Sequence, residues 1–151
     1  MKQGLKVKGM FRVQITEKGK IVGDSGWLAN QVTNLGFKQY LCDSLGNASG
    51  KYISHMALGT GGVPNATDTA LANEVQKRAA VTAASSSSSK TERFTATFAS
   101  SDSFVTATQN ISNIGLFNTS TGGTLFAGNT YSSSSVATNQ NVNATYDIIF
   151  S

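Results

Sequence analysis

The chain is poor in nearly every residue type that carries chemistry. It has one cysteine, Cys42, and one histidine, His55. A lone cysteine excludes an intramolecular disulfide, so packing alone must hold the fold. It also leaves too few soft ligands for a structural zinc site. Charged residues make up only 13% of the 151 positions, well below the usual share. The carboxylates are scattered, and Asp24, Asp43, Asp68 and Asp102 each stand beside Gly, Ser or Thr, as turn and cap residues do. No calcium-loop spacing occurs. His55 has no serine or aspartate at a catalytic spacing, so the expectation is a protein without enzymatic activity, cofactor, metal or small-molecule substrate. No apolar run approaches the ~20 residues of a membrane helix, and no membrane partner is expected. The opening MKQGLKVKGMF lacks the apolar segment of a signal peptide, which predicts synthesis in the cytoplasm without a visible export signal.

What the chain has instead is Ser, Thr, Asn and alternation. Ser and Asn compete with the backbone for hydrogen bonds and disfavour helix, while Thr suits strands. The length fits one domain, residues 1–151. Leu5, Val7, Phe11, Val13 and Ile15 share one parity and Lys6, Lys8, Arg12 and Gln14 the other, the period-two signature of a half-buried strand. Glu17–Lys20 is a turn around Gly19, and Ile21–Leu28 should return as the hairpin partner, interrupted at Asp24–Gly26. Phe94, Ala96 and Phe98 alternate with Thr95 and Thr97. Further strands are predicted at Lys51–Leu58, Ile111–Phe117, Thr124–Gly128 and Val142–Phe150, with turns at Asn118–Gly123 and Tyr131–Ser135. Together they predict an all-β fold, an antiparallel jelly-roll-like β-sandwich with one short α-helix near residues 34–45.

That helix is read from Leu35, Tyr40, Leu41 and Leu45 at roughly helical spacing, widened by Phe37 and Cys42. Thr33 or Asn34 caps its start and Gly46 its end. Cys42 is expected to be a buried, inert thiol. Trp27, the only tryptophan, is expected in the core rather than stacked on a ligand. The predicted core comprises Phe11, Val13, Trp27, Leu41, Phe94, Phe98, Ile114, Leu116, Phe126, Tyr146, Ile148 and Phe150. The loop GTGGVPNATDT (Gly59–Thr69) has three glycines but no GK[ST], which argues against nucleotide binding. Asp68, Thr69 and Glu74 suggest a cap and a short helical turn, after which Lys77 and Arg78 lead into a strand or extended arm. The five serines Ser85–Ser89 form a flexible loop or a tip held by neighbouring subunits.

The net charge is +4, and four cations, Lys2, Lys6, Lys8 and Arg12, fall within the first dozen residues. A basic strand of this kind suits an acidic partner surface, a nucleic acid or a solvated face. No aromatic residues interleave with the lysines as single-strand binding requires, so direct nucleic-acid contact is not expected.

One set of motifs adds to this. Ala57–Gly61 reads ALGTG, Asp68–Glu74 reads DTALANE with Arg78 following, and Ala96–Phe98 reads ATF. Ile111–Asn118 then contains IGLFN, Gly123–Ala127 reads GTLFA, and Tyr146–Phe150 reads YDIIF. Upstream, Asn30–Gly36 reads NQVTNLG. In this order they resemble tailed-bacteriophage structural proteins. The resemblance implies a virion protein made in the host cytoplasm and released by lysis. Without a repetitive or coiled-coil shaft, the chain is most similar to a capsid cement (decoration) protein. That implies a homotrimer bridging major capsid protein subunits on the mature head. Related modules occur in tail-fibre and collar proteins, for which a role in host-receptor adhesion is implied. Lys2, Lys6, Lys8 and Arg12 are the expected interface residues.

Overall fold

The computed structural model describes residues 4–85 and 89–151; Lys2 and Ser86–Ser88 lie outside them. The long opening strand β1 (Val7–Glu17) buries Phe11, Val13 and Ile15 on one face, as its alternation requires. Lys18 and Gly19 both take positive φ, 48° and 76°. A two-residue turn of that hand matches strand twist and returns the chain as β2 (Lys20–Asp24). After a break at residues 25–27 come two short pieces, β3 (Leu28–Ala29) beside β1 and β4 (Gln31–Val32) beside a strand of the second sheet.

The chain is an all-β sandwich of two antiparallel sheets. β5 (His55–Gly59), β6 (Ala79–Ala80), β7 (Thr82–Ser85), β8 (Thr91–Phe98), β9 (Gln109–Phe117), β10 (Leu125–Val136) and β11 (Asn141–Phe150) complete it. The first sheet has the order β2-β1-β11-β8-β7 with β3 attached to β1; the second runs β4-β10-β9-β5-β6. The opening strand thus lies beside the closing one, with Phe11 opposite Tyr146 and Val13 opposite Ala144. Between the sheets, Phe11 stacks on Tyr146 at 5.7 Å and meets Tyr131 edge-on at 6.2 Å. Every predicted core residue lies in this core or packs against it except Trp27. The core also takes Met56, Leu58, Ile111 and Phe104, the last sealing the interior against Phe98 at 5.6 Å after a 3₁₀ turn, Ser100–Asp102.

The helical segment forms where predicted, over residues 34–45, but its middle, Gly36–Cys42, is wound as π-helix before one α-turn, Asp43–Leu45. Thr33 Oγ1 accepts a hydrogen bond from the Gly36 amide at 2.9 Å, the cap expected from the sequence. Gly36 has no alternative here: a Cβ would stand 2.3 Å from the Phe126 carbonyl oxygen, so the helix crosses directly on the β10 backbone. The wider π-turn, with the Asp43 amide bonded to the Lys38 carbonyl, dissolves the 3.6-residue face read from the sequence. Tyr40 is buried and Leu41 half-buried, whereas Leu45 is 90% exposed and Cys42 is exposed rather than buried.

Three other expectations are corrected. Residues 131–135 do not turn; they continue β10, whose pairing with β9 slips between Thr130 and Ser134, so the serines are taken up by an irregularity instead of a reversal. Residues 51–54 join no strand, and only His55–Gly59 pairs. Asp68–Glu74 forms no helical turn: Asp68 accepts the Asn65 amide at 2.8 Å, and Glu74 bridges back to Gly59.

Candidate interaction surfaces

Whereas ATF and YDIIF lie in β8 and β11 of the first sheet, part of the motif set, ALGTG, DTALANE with Arg78, IGLFN and GTLFA, meets on the outer side of the second. Ala57 of β5, Phe117 of β9 and Leu125 of β10 face outward there, and the loop between β5 and β6 folds over them to bury Leu71 in a second small core. Asn113, fully buried, donates through Nδ2 to the carbonyls of Ala72 and Gly62 at 3.1 and 3.3 Å. Gly59 permits the approach, since a Cβ would fall 2.4 Å from Asn113 Oδ1. Arg78 locks the arrangement. Its side chain, 5% exposed, forks onto Glu74 at 2.5 and 2.9 Å and donates to the carbonyls of Thr119 and Gly122 at 2.9 and 2.8 Å. Its guanidinium lies 3.5 Å above the Phe117 ring. The glycine-rich loop, DTAL, Glu74 and Arg78 therefore clasp a flap to a sheet. His55 sits half-buried beside this clasp; burial, then the Arg78 charge, lowers its pKa.

The cations of the N-terminal strand go elsewhere. Lys6 and Lys8 are exposed at the end of the sandwich where β1 begins, with the Lys6 and Ser151 backbones paired and the Phe150 amide bonded to the Lys90 carbonyl. Among the described residues none of Lys6, Lys8 and Lys90 has an acidic partner. Arg12 differs: it forks onto Asp24 at 3.0 and 2.5 Å. That contact, with the Gly26 amide and Gln14, holds the Asp24 carboxyl far below the usual carboxylate range. Arg12 is thus a neutralised cation, and the free positive charge of this strand rests on its lysines.

At the same end an apolar groove of about 310 Å³ opens between the helix and the sandwich, lined by Tyr40, Leu41, Tyr52, Ile53, Phe94 and Phe150. The Tyr40 hydroxyl donates to the Thr124 carbonyl, and its burial raises its pKa far above that of a free phenol. Lys51 Nζ bridges Gln39 and Thr124 at 2.5 Å each, which fixes one wall.

Among the described residues no segment covers the outer face of the first sheet, where Thr82, Ala84, Arg93, Thr95 and Thr97 are exposed. Register aligns its side chains in rows across β1, β11, β8 and β7: Met10, Asp147, Arg93 and Ala84, then Arg12, Thr145, Thr95 and Thr82. A further row holds Asp24, Gln14, Asn143 and Thr97. Arg93 forks onto Asp147 at 2.7 Å through both nitrogens, which raises its pKa. Trp27 is 41% exposed, not buried as expected. It leaves the chain in the break between β2 and β3 and comes within 5.6 Å of the Arg93 guanidinium, two strands beyond β1. Its ring therefore extends over this face. The polar parity of β8 and β11 was visible in the sequence; the position of Trp27 was not, because it lies outside any strand and has no parity. No protein-family model, curated protein sequence or solved structure matches the chain.

Proposed function

We propose that this protein is a structural component of a tailed-bacteriophage particle, a cement protein that docks on the head and bridges major capsid protein subunits. The observation that carries this reading is one end of the sandwich, where Lys6, Lys8 and Lys90, without an acidic partner among the described residues, stand near an apolar groove lined by Tyr52, Ile53 and Phe150. Exposed apolar side chains give adhesion and the nearby cations give orientation towards an acidic surface. The motif resemblance supplies the phage setting, and the clasp gives the motifs around Gly59–Arg78 and the β9–β10 turn a structural role. Packaged DNA pushes outward on a head; a protein bound across neighbouring subunits adds interface that must be broken before they separate. A homotrimer would let modest contacts act together. The abundance of uncharged Ser, Thr and Asn favours subunit contacts, since few charges are desolvated.

The test is to add purified protein to undecorated heads. Wild-type protein should bind, and Lys6→Glu/Lys8→Glu protein should bind less at low salt, with the difference shrinking as salt rises. Arg12→Gln should matter less than either lysine, because its charge is already matched by Asp24. A protein that stays monomeric and ignores heads but binds tails or host cells belongs to the second reading, a tail-fibre or collar component, which the exposed Trp27 favours.

A further inference from the structure

The outer face of the first sheet has a chemical character of its own. Both arginines on it are matched by aspartates in two-point forks, which leaves Lys8, at its rim, as the face's cation without an acidic partner among the described residues. Between the forks lie hydroxyls and amides, and they are already organised: Thr97 Oγ1 donates to Asn143 Oδ1 at 2.9 Å. Beside the Arg93–Asp147 fork is a depression of about 390 Å³, lined by Ala84, Thr91, Ile149 and the fork itself. Trp27 stands across the fork from it. Strand spacing and rise make the three rows a platform of about 14 by 14 Å.

Each class of partner asks for something different. A nucleic acid needs unpaired cations in number, and here the arginines are spent. A protein interface needs an apolar centre, whereas the middle of the rows is polar and the apolar side chains, Met10, Ala84, Ile149 and the tryptophan, stand at its margins. A sugar ring presents a flat C–H face for an indole and hydroxyls on its rim. Those hydroxyls pair with groups that both donate and accept in fixed geometry, as a carboxylate–guanidinium fork does.

We infer that this platform is a glycan-binding site that takes a neutral oligosaccharide, with one ring stacked on Trp27 and hydroxyls held by the Arg93–Asp147 fork and the neighbouring threonines. The fork is held rigid before any ligand arrives, so little ordering is required on binding. The site lies on the outer face of the first sheet, whereas the apolar groove opens between the helix and the sandwich, and it does not depend on where the protein sits in a particle.

Trp27 is the only tryptophan, so its emission reports this site alone. The experiment titrates purified protein with soluble dextran, mannan, laminarin and galactomannan, with heparin as the anionic control, and follows tryptophan emission and gel retardation. At least one neutral polysaccharide should change the emission saturably and equally at low and high salt. Trp27→Ala, read by gel retardation, and Thr145→Glu, read by both, should weaken binding about tenfold or more, while thermal unfolding shows both variants folded. Silence with every neutral polysaccharide overturns the inference. So does retardation that survives Trp27→Ala, or a preference for heparin that salt abolishes. If the emission changes only when undecorated heads are added, the face is a protein-docking surface and the glycan assignment falls.

Discussion

Replacing Arg78 by alanine tests the clasp directly. The substitution removes a side chain that is 5% exposed and strands three acceptors: the Glu74 carboxylate and the carbonyls of Thr119 and Gly122. The Gly122 carbonyl is exposed and recovers water, so it contributes little. The part-buried Thr119 carbonyl loses a charge-assisted bond, about 1 kcal/mol. Glu74, 24% exposed, recovers only part of its hydration; breaking a fully buried pair costs about 3–5 kcal/mol, and partial exposure reduces that to about 1–2. Loss of the guanidinium from the Phe117 ring removes about 0.5–1 kcal/mol more. The expected destabilisation is therefore about 3 kcal/mol, equivalent to a Tm lower by roughly 6–12 °C in a chain of this length. Urea unfolding with a freely fitted slope is the assay, with Lys77→Ala, the exposed neighbour, as a control that should stay within about 0.5 kcal/mol. Glu74→Gln should lose less than Arg78→Ala, because the amide oxygen still accepts from the guanidinium. A loss below about 1 kcal/mol for Arg78→Ala would mean that the flap is held by Leu71 and the backbone alone, and the clasp would be refuted.

Other outcomes follow from the same geometry. Phe98→Ala should lower stability by about 3–5 kcal/mol in urea, since Phe98 is buried against Phe104. Native protein should react at once with one equivalent of a thiol reagent at the exposed Cys42; a thiol that waits for denaturant would place it in the core. Burial raises the pKa of Tyr40, Tyr131 and Tyr146 above that of an unfolded tyrosine. The stability they confer is therefore complete below about pH 10 and declines above it, and absorbance at 295 nm should show these phenols ionising only as the protein unfolds. Asp24 titrates the other way. Its folded pKa is depressed by Arg12, so its contribution is present above about pH 4 and fades as the pH falls further, and Asp24→Asn should flatten the acid limb of Tm against pH.

The strands were legible because their cause is local. Alternation in β1, β8 and β11 states which side chains face the core, and Phe11, Val13, Phe94, Phe98, Tyr146 and Ile148 are found there. The hairpin turn at Lys18–Gly19 and the helix cap at Thr33 are equally local. The misplacements share a different cause. Cys42 and Leu45 were assigned by a 3.6-residue period that the π-winding over Gly36–Cys42 removes, and that winding accompanies a crossing on the Phe126 backbone some ninety positions away. The four serines of β10 read as a turn because composition does not distinguish a reversal from an irregular edge.

The two outer faces show most clearly where sequence ends and tertiary structure begins. The sequence by itself determines that each sheet has two faces, because side-chain direction alternates with every residue of extended backbone. It also fixes the inventory of one histidine and one cysteine, which can be counted without a fold. It does not determine which outer face is covered. Phe117 and Leu125, on the outer side of their sheet, are buried only because Leu71 and Arg78, more than forty positions away from the turn they clasp, come back over them. Trp27, which looks in sequence like one more core aromatic, is left outside because no described segment returns over the first sheet, and it lies 5.6 Å from Arg93 across the polar rows. Alternation is a property of neighbouring residues, whereas coverage is set by where distant loops find contacts strong enough to offset their ordering, and only the folded chain decides that.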